Sequence, residues 1–96
     1  MRHVYLVSYD VCDAKRLRRT FKTMRRYGDH LQLSVFRCIL NDRDKTKMVS
    51  ELKHILNGRE DQVLLADLGP EEGRGKEVIE TVGLPYVHPE RHVLIL

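Results

Sequence analysis

The chain has 96 residues, of which 42% are hydrophobic and 32% charged, and its formal net charge is +3. That length supports one domain with a modest core, and the composition is that of an ordinary globular chain. No run approaches the roughly 18 apolar residues of a membrane span. The opening MRHVYLVSYD carries no cleavable signal pattern. Cys12 and Cys38 lack metal-ligand spacing, so the expectation is a cytoplasmic protein with two reduced thiols and no membrane partner.

Residues 3–9, HVYLVSY, read as a strand that is apolar on both faces and therefore central. Asp13 is placed to cap a helix over 14–27, in which Leu17, Phe21, Met24 and Gly28 follow a 3.6-residue period and form the buried stripe. Gly28 ends it. HLQLSVFRCIL then alternates, with Leu31, Leu33 and Val35 on one face and Gln32, Ser34 and Phe36 on the other. Asn41 to Asp44 opens a second helix whose apolar positions are Met48, Val49, Leu52, Ile55 and Leu56, ending near Asn57-Gly58. QVLLADL reads as a strand broken by Gly69-Pro70, GPEEGRG as a loop, EVIETVG as a further strand, and HVLIL as a terminal strand.

The economical arrangement is α+β: a ferredoxin-like β-α-β-β-α-β sandwich over residues 1–96, with an additional C-terminal strand. Residues 84–96 form an extension expected to pair with a sheet edge. Two helices cover one face of such a sheet. The other face, expected to hold Gln32, Ser34 and Phe36, needs a second cover, and another copy of the chain is the simplest one.

The net charge conceals a concentration. Lys15, Arg16, Arg18, Arg19, Lys22, Arg25 and Arg26 all lie between Asp13 and Gly28, and the rest of the chain, with 10 basic and 14 acidic residues, is net −4. Lys15, Arg19, Lys22 and Arg26 make a stripe opposite the buried one, flanked by Arg18 and Arg25 on one side and Arg16 on the other. A solvated face normally mixes signs, whereas every i,i+4 pair here is like-charged and costs some tenths of a kcal/mol. An anionic partner explains that repulsion, and nucleic acid bound through its phosphates fits best. No aromatic residue interleaves the stripe, which suits backbone contact rather than base reading.

Asp10 follows the first strand and stands at the foot of this helix. It could be a turn or cap carboxylate, a salt-bridge partner, or a metal ligand beside bound phosphates. One carboxylate makes a poor magnesium site unless the ion keeps waters and takes phosphate oxygens, but a two-fold dimer would bring two copies together. Asp13 and Asp67 are better explained as a cap and a strand-end residue. The five histidines show no metal spacing. Tyr5 and Tyr9 alternate with core positions, and the Tyr9 hydroxyl could lie near Asp10.

The stretch YDVCDAKRLRRTFKTMRRYGDHLQLSVFRC resembles the signature of the CRISPR-associated protein 2 family, the small subunit of the spacer-acquisition machinery. The matching features are Tyr9-Asp10, Asp13 with Lys15-Arg16-Leu17-Arg18, Tyr27-Gly28, Gln32, and Ser34-Val35-Phe36 with Cys38; Leu33 and Arg37 depart from the tyrosine and glutamate of many relatives. The resemblance implies a ferredoxin-like homodimer with its open sheet faces packed together. It also implies a metal-dependent endonuclease acting on RNA or duplex DNA. The aspartate matching Asp10 would be the catalytic residue and the ligand of Mg²⁺ (or Mn²⁺), supported by Tyr9, Ser34 and Phe36. Lys15, Arg16, Arg18, Arg19, Lys22 and Arg26 would hold phosphates. A CRISPR integrase subunit is the implied partner, the dimer holding new spacer DNA. Two other readings stand beside the nuclease: a non-catalytic dimeric scaffold for DNA and integrase, and a related ribonuclease toxin. An RNA-recognition module is disfavoured, because no strand carries the aromatic pattern such sheets use.

Overall fold

The computed structural model describes residues 1–73 and 78–84. The order is β1 (His3–Asp10), α1 (Ala14–Tyr27), β2 (Gly28–Gln32), β3 (Val35–Leu40), α2 (Asp42–Ile55) and β4 (Gln62–Pro70). The strands form one antiparallel sheet in the order β2-β3-β1-β4, so β1 is central, as its two apolar faces require. This is the ferredoxin-like β-α-β-β-α-β arrangement expected from the sequence. No helix among the described residues is long and apolar enough to cross a membrane.

Each helix starts at the residue whose side chain can satisfy an orphan N–H. Asp13 accepts from the Arg16 N–H, and Asn41 from the Asp44 N–H. The second helix carries Asp42 and Asp44 in its first turn and Lys53 and His54 in its last, in accord with its dipole. The first helix has no acidic residue in its first turn, where Lys15 and Arg16 oppose that dipole. Its local electrostatics are poor for stability and favourable for an anion.

The core lies between helices and sheet. Tyr5, Val7 and Tyr9 of β1 and Phe36, Cys38 and Leu40 of β3 pack against Phe21 and Met24 of α1 and Met48 and Leu52 of α2. Gly28 permits close strand pairing: a Cβ there would stand 2.4 Å from the Arg37 carbonyl oxygen and 2.6 Å from Cys38 Sγ. The residue that ends α1 therefore also lets β2 settle against β3.

Four expectations need correction. HLQLSVFRCIL is not one alternating run but two strands joined by a turn, where Leu33 adopts φ 26° and is 80% exposed. The turn resets the alternation, so Phe36 is fully buried under the helices while Val35, Arg37 and Ile39 lie on the helix-free face. Leu17 is 41% exposed, and Thr20 and Thr23 take part in the buried face of α1. Gly69 and Pro70 do not break β4: the strand continues through both, Pro70 pairs with His3, and Arg2 then ties the turn by an ion pair to Glu71 at 2.7 Å. EVIETVG is not a strand over its described residues. Val82 is fully exposed and Gly83 takes φ 94°, a backbone that extended strands do not adopt. The HVLIL strand lies outside the described residues, as does all but Leu84 of the 84–96 extension.

Candidate nucleic-acid interface and metal-binding carboxylate

Asp10 is the last residue of β1, exposed, and paired in register with Gln62 of β4. Tyr9 beside it is buried on the helix side, so the two-residue alternation puts Asp10 on the helix-free face with Val4, Leu6 and Ser8. Among the described residues its carboxylate has no hydrogen bond or ion pair. The surrounding acids are otherwise occupied. Asp13 caps α1, Asp61 and Glu60 hold Arg16, Glu51 holds Arg26, and Asp67 accepts from His3 Nδ1 at 2.9 Å. Asp10 is thus neither the cap nor, within that set, a salt-bridge partner.

The turn after Asp10 is pinned by Asp61, whose side chain has no exposed surface. It accepts from the Cys12 N–H at 3.0 Å, from the Asn57 N–H at 2.9 Å and from Arg16 Nε at 2.7 Å. The Cys12 thiol donates to the Glu60 carbonyl at 3.1 Å. The Arg16 bond holds the Asp61 carboxyl well below the usual carboxylate range against the opposing effect of burial, with help from the two backbone N–H groups. Arg16 is raised in return, chiefly by Asp61. One carboxylate thereby joins the β1–α1 turn, the end of α2 and the start of β4.

The cations of α1 fall into three sets. Arg16 is taken by Asp61 and Glu60. Arg26 reaches across to Glu51 at 2.6 Å, and Glu51 also accepts from the Tyr27 hydroxyl. Lys15, Arg18, Arg19 and Lys22 are exposed and have no acidic partner among the described residues. Of these, Arg19 and Lys22 open into a groove between the helices, lined as well by Thr23, Ser50, Glu51 and His54. Arg18 lies on the other side of α1, in a cleft with Tyr9, Leu17, Phe21, Leu33 and Ser34. Arg25 sits over the Phe21 ring at 5.9 Å.

The three supporting residues are structural in their contacts. The Tyr9 and Phe36 rings stack at 6.2 Å, and the Ser34 carbonyl accepts from the Tyr9 N–H at 3.1 Å. Burial pushes the Tyr9 hydroxyl up to about 12, so it stays protonated near neutrality, and its side chain lies in the core on the face opposite Asp10. These contacts fix the end of β1 on which Asp10 stands. Asp61, Glu51, Ser50 and His54 were not singled out from the sequence as members of the site. Asp61 and Glu51 are separated from their partners by 45 and 25 residues, and no local pattern announces such a pair.

A family model described as CRISPR associated protein Cas2 matches residues 1–74. The chain is 42% identical over 94 residues to a CRISPR-associated endoribonuclease Cas2 of Rhodospirillum rubrum, covering 98% of this chain and 91% of the relative. It is 50% identical over 72 residues to a CRISPR-associated endoribonuclease Cas2 of Geobacter sulfurreducens, covering 75% of this chain and 76% of that one. Among solved structures, Streptococcus pyogenes Cas2 at pH 6.5 superposes with a TM-score of 0.72 at 29% identity, covering 83% of this chain and 99% of the other.

Proposed function

The chain belongs to the Cas2 family of CRISPR-associated proteins, whose relatives bear the names endoribonuclease and endonuclease, and from that premise we propose a homodimeric, magnesium-dependent endonuclease of spacer acquisition. It hydrolyses phosphodiester bonds in RNA or DNA and works with an integrase subunit. The observation that carries the reading is Asp10. It is an exposed carboxylate with no partner among the described residues, on the helix-free face and at the foot of a helix whose first turn is cationic.

The donor set bears on the metal. Among the described residues no three His, Cys, Asp or Glu side chains come together as a ligand group. Magnesium retains several waters and needs only one or two carboxylates when substrate phosphate supplies the remaining oxygens, so Asp10 from each of two subunits fits it. Manganese accepts the same oxygen donors. The ion, when held there, supplies an activated water and neutralises charge on the phosphate. The protein's own residues do the rest. Asp10 holds the ion, while Lys15, Arg18, Arg19 and Lys22 neutralise backbone phosphates. Asp61 and Tyr9 fix the strand end and turn from which Asp10 projects.

The helix-free face supports the dimer. Leu6, Val35, Ile39 and Leu64 lie on it, and Leu64 is 58% exposed. Packing two such faces would bury apolar surface and put both Asp10 residues in one interface. A second reading, a dimeric scaffold for DNA and integrase without turnover, is favoured by Arg19 and Lys22. They lie about 1.7 and 2.5 helical turns beyond Asp13, well suited to holding backbone away from Asp10.

The test is cleavage of labelled single-stranded RNA and duplex DNA with Mg²⁺ by wild type and Asp10→Ala, with EDTA as control. Cleavage by metal-loaded wild type alone supports the nuclease. Equal cleavage by both proteins, or by neither while DNA binding persists, rejects Asp10 as catalyst and leaves the scaffold. Because Asp10 is exposed and has no partner among the described residues, Asp10→Ala is expected to keep the wild-type melting temperature, so a loss of activity is not a loss of fold.

A further inference from the structure

We infer that the groove between α1 and α2 is a seat for a backbone phosphate, built from both helices, and that His54 is its pH-sensitive member. The inference rests on the nucleic-acid reading above and adds to it a second helix and a defined position for the anion.

The groove has a volume of about 480 Å³. Arg19, Lys22 and the buried Thr23 line its α1 side, and Ser50 and His54 its α2 side. Two cations with an exposed serine across from them match the needs of a phosphodiester, which carries one negative charge and accepts several hydrogen bonds. Among the described residues the single carboxylate lining the groove is Glu51, and both its oxygens are occupied, Oε1 by Arg26 and Oε2 by the Tyr27 hydroxyl. Its negative charge is therefore offset within the protein, and the groove remains net positive.

His54 is oriented for the role. Its Nδ1 lies 2.8 Å from the Ser50 carbonyl oxygen, which can only accept, so Nδ1 carries a hydrogen. In the neutral ring Nε2 is then an acceptor and offers a phosphate nothing. Protonation turns it into a charged donor beside the groove that Arg19 and Lys22 also line. Among the described residues, the charged groups that line the groove with His54 are those two cations from α1 and Glu51 from its own helix. A phosphate bound beside the ring favours its protonated, charged form. Phosphate binding and proton uptake are thereby linked, and affinity rises as pH falls.

The measurement is fluorescence anisotropy of a labelled 30-base-pair duplex DNA and, separately, a 30-nucleotide single-stranded RNA. Titrations of the full chain run across pH 6 to 8 and several salt concentrations. Replacing both Arg19 and Lys22 with Gln is expected to reduce the slope of log affinity against log salt by about 2. Wild-type affinity is expected to rise by roughly 3- to 10-fold from pH 8 to pH 6, and His54→Ala to abolish that rise. Ser50→Glu, an exposed change that puts a carboxylate on the α2 rim, is expected to weaken binding about 10-fold without lowering the melting temperature. The paired substitution of Lys15 and Arg18 by Gln lies outside the groove and separates the two readings. If it weakens binding while Ser50→Glu and His54→Ala behave as wild type, the groove seat is overturned and the nucleic-acid reading stands. If neither it nor any groove variant changes binding, both fall.

Discussion

Arg16 of α1 donates to Asp61 at the foot of β4 through Nε at 2.7 Å and through a terminal nitrogen at 3.3 Å, and the carboxylate it meets has no exposed surface. The pair sits directly below the strand end that carries Asp10. An arginine in the most cationic segment of the chain is thus a fastening, and not a free phosphate ligand. Arg16 and Arg19 should separate cleanly. Arg16→Ala leaves a buried carboxylate without its partner and is expected to lower the melting temperature by more than about 10 °C, with little change in nucleic-acid affinity once folded. Arg19→Ala is expected to do the reverse. Thermal melts and binding titrations on the two variants check both halves, and equal effects on affinity would place Arg16 among the phosphate contacts.

The same pair sets an acid limit. The folded-state pKa of Asp61 is depressed, first by Arg16, below the value near 3.9 of an unfolded aspartate. A depressed pKa means that the unfolded chain binds the proton more tightly, so this contribution is full above about pH 5 and is lost as pH falls through that range and below. Glu51, Asp67 and Asp13 are lowered as well, by Arg26, by His3 and by the Arg16 backbone N–H, and act in the same direction. Melting temperature plotted from pH 6 to pH 3 should fall in the wild type and fall less steeply in Asp61→Asn. Parallel curves would remove Asp61 as a cause of acid unfolding.

Phe36 provides a test inside the core. Its ring is fully buried and lies 5.6 Å from Phe21 and 4.9 Å from His30, centroid to centroid. Phe36→Ala is expected to cost about 3–5 kcal/mol in a urea titration, through lost transfer energy and the cavity left behind. A residue on the helix-free face would instead weaken self-association and leave the fold nearly intact. Loss of dimer without loss of stability would return Phe36 to that face.

Phe36 also shows where reading the sequence stops. The helices were legible because their signals are local: Asp13 and Asn41 as caps, and 3.6-residue periodicity between them. Central placement of β1 followed from its two apolar faces. The turn at Leu33 was not legible, because leucine is a poor marker of positive φ and the alternation reads smoothly through it. One unrecognised turn exchanged the faces of Val35 and Phe36. At the site, Asp10 and the cationic stripe were visible in adjacent residues. Which cations remain available was not, since Asp61 and Glu51 are brought to Arg16 and Arg26 only by the packing of α2, and of the connection that follows it, beside α1. Gly28 was read as a helix stop, and its second role depends on where the Arg37 carbonyl and Cys38 sulfur come to lie.

The helix-free face gives the last prediction. Leu64 pairs in register with Ser8, which on its other side pairs with Val35, so the three side chains form a row across β4, β1 and β3 beside Asp10. Leucine 58% exposed on a strand flanked by apolar neighbours is a site that association would bury. Leu64→Lys puts a solvated charge into that row without entering the core. Sedimentation should give twice the 11.3 kDa chain mass for the wild type and the chain mass for Leu64→Lys. Helical content by circular dichroism should be unchanged. If Asp10 acts only as a pair across this face, the monomeric variant should also lose cleavage while keeping part of its affinity for nucleic acid through Arg19 and Lys22. A variant that remains dimeric would move the interface elsewhere on the molecule. A monomer that cleaves at the wild-type rate would show that one Asp10 is sufficient.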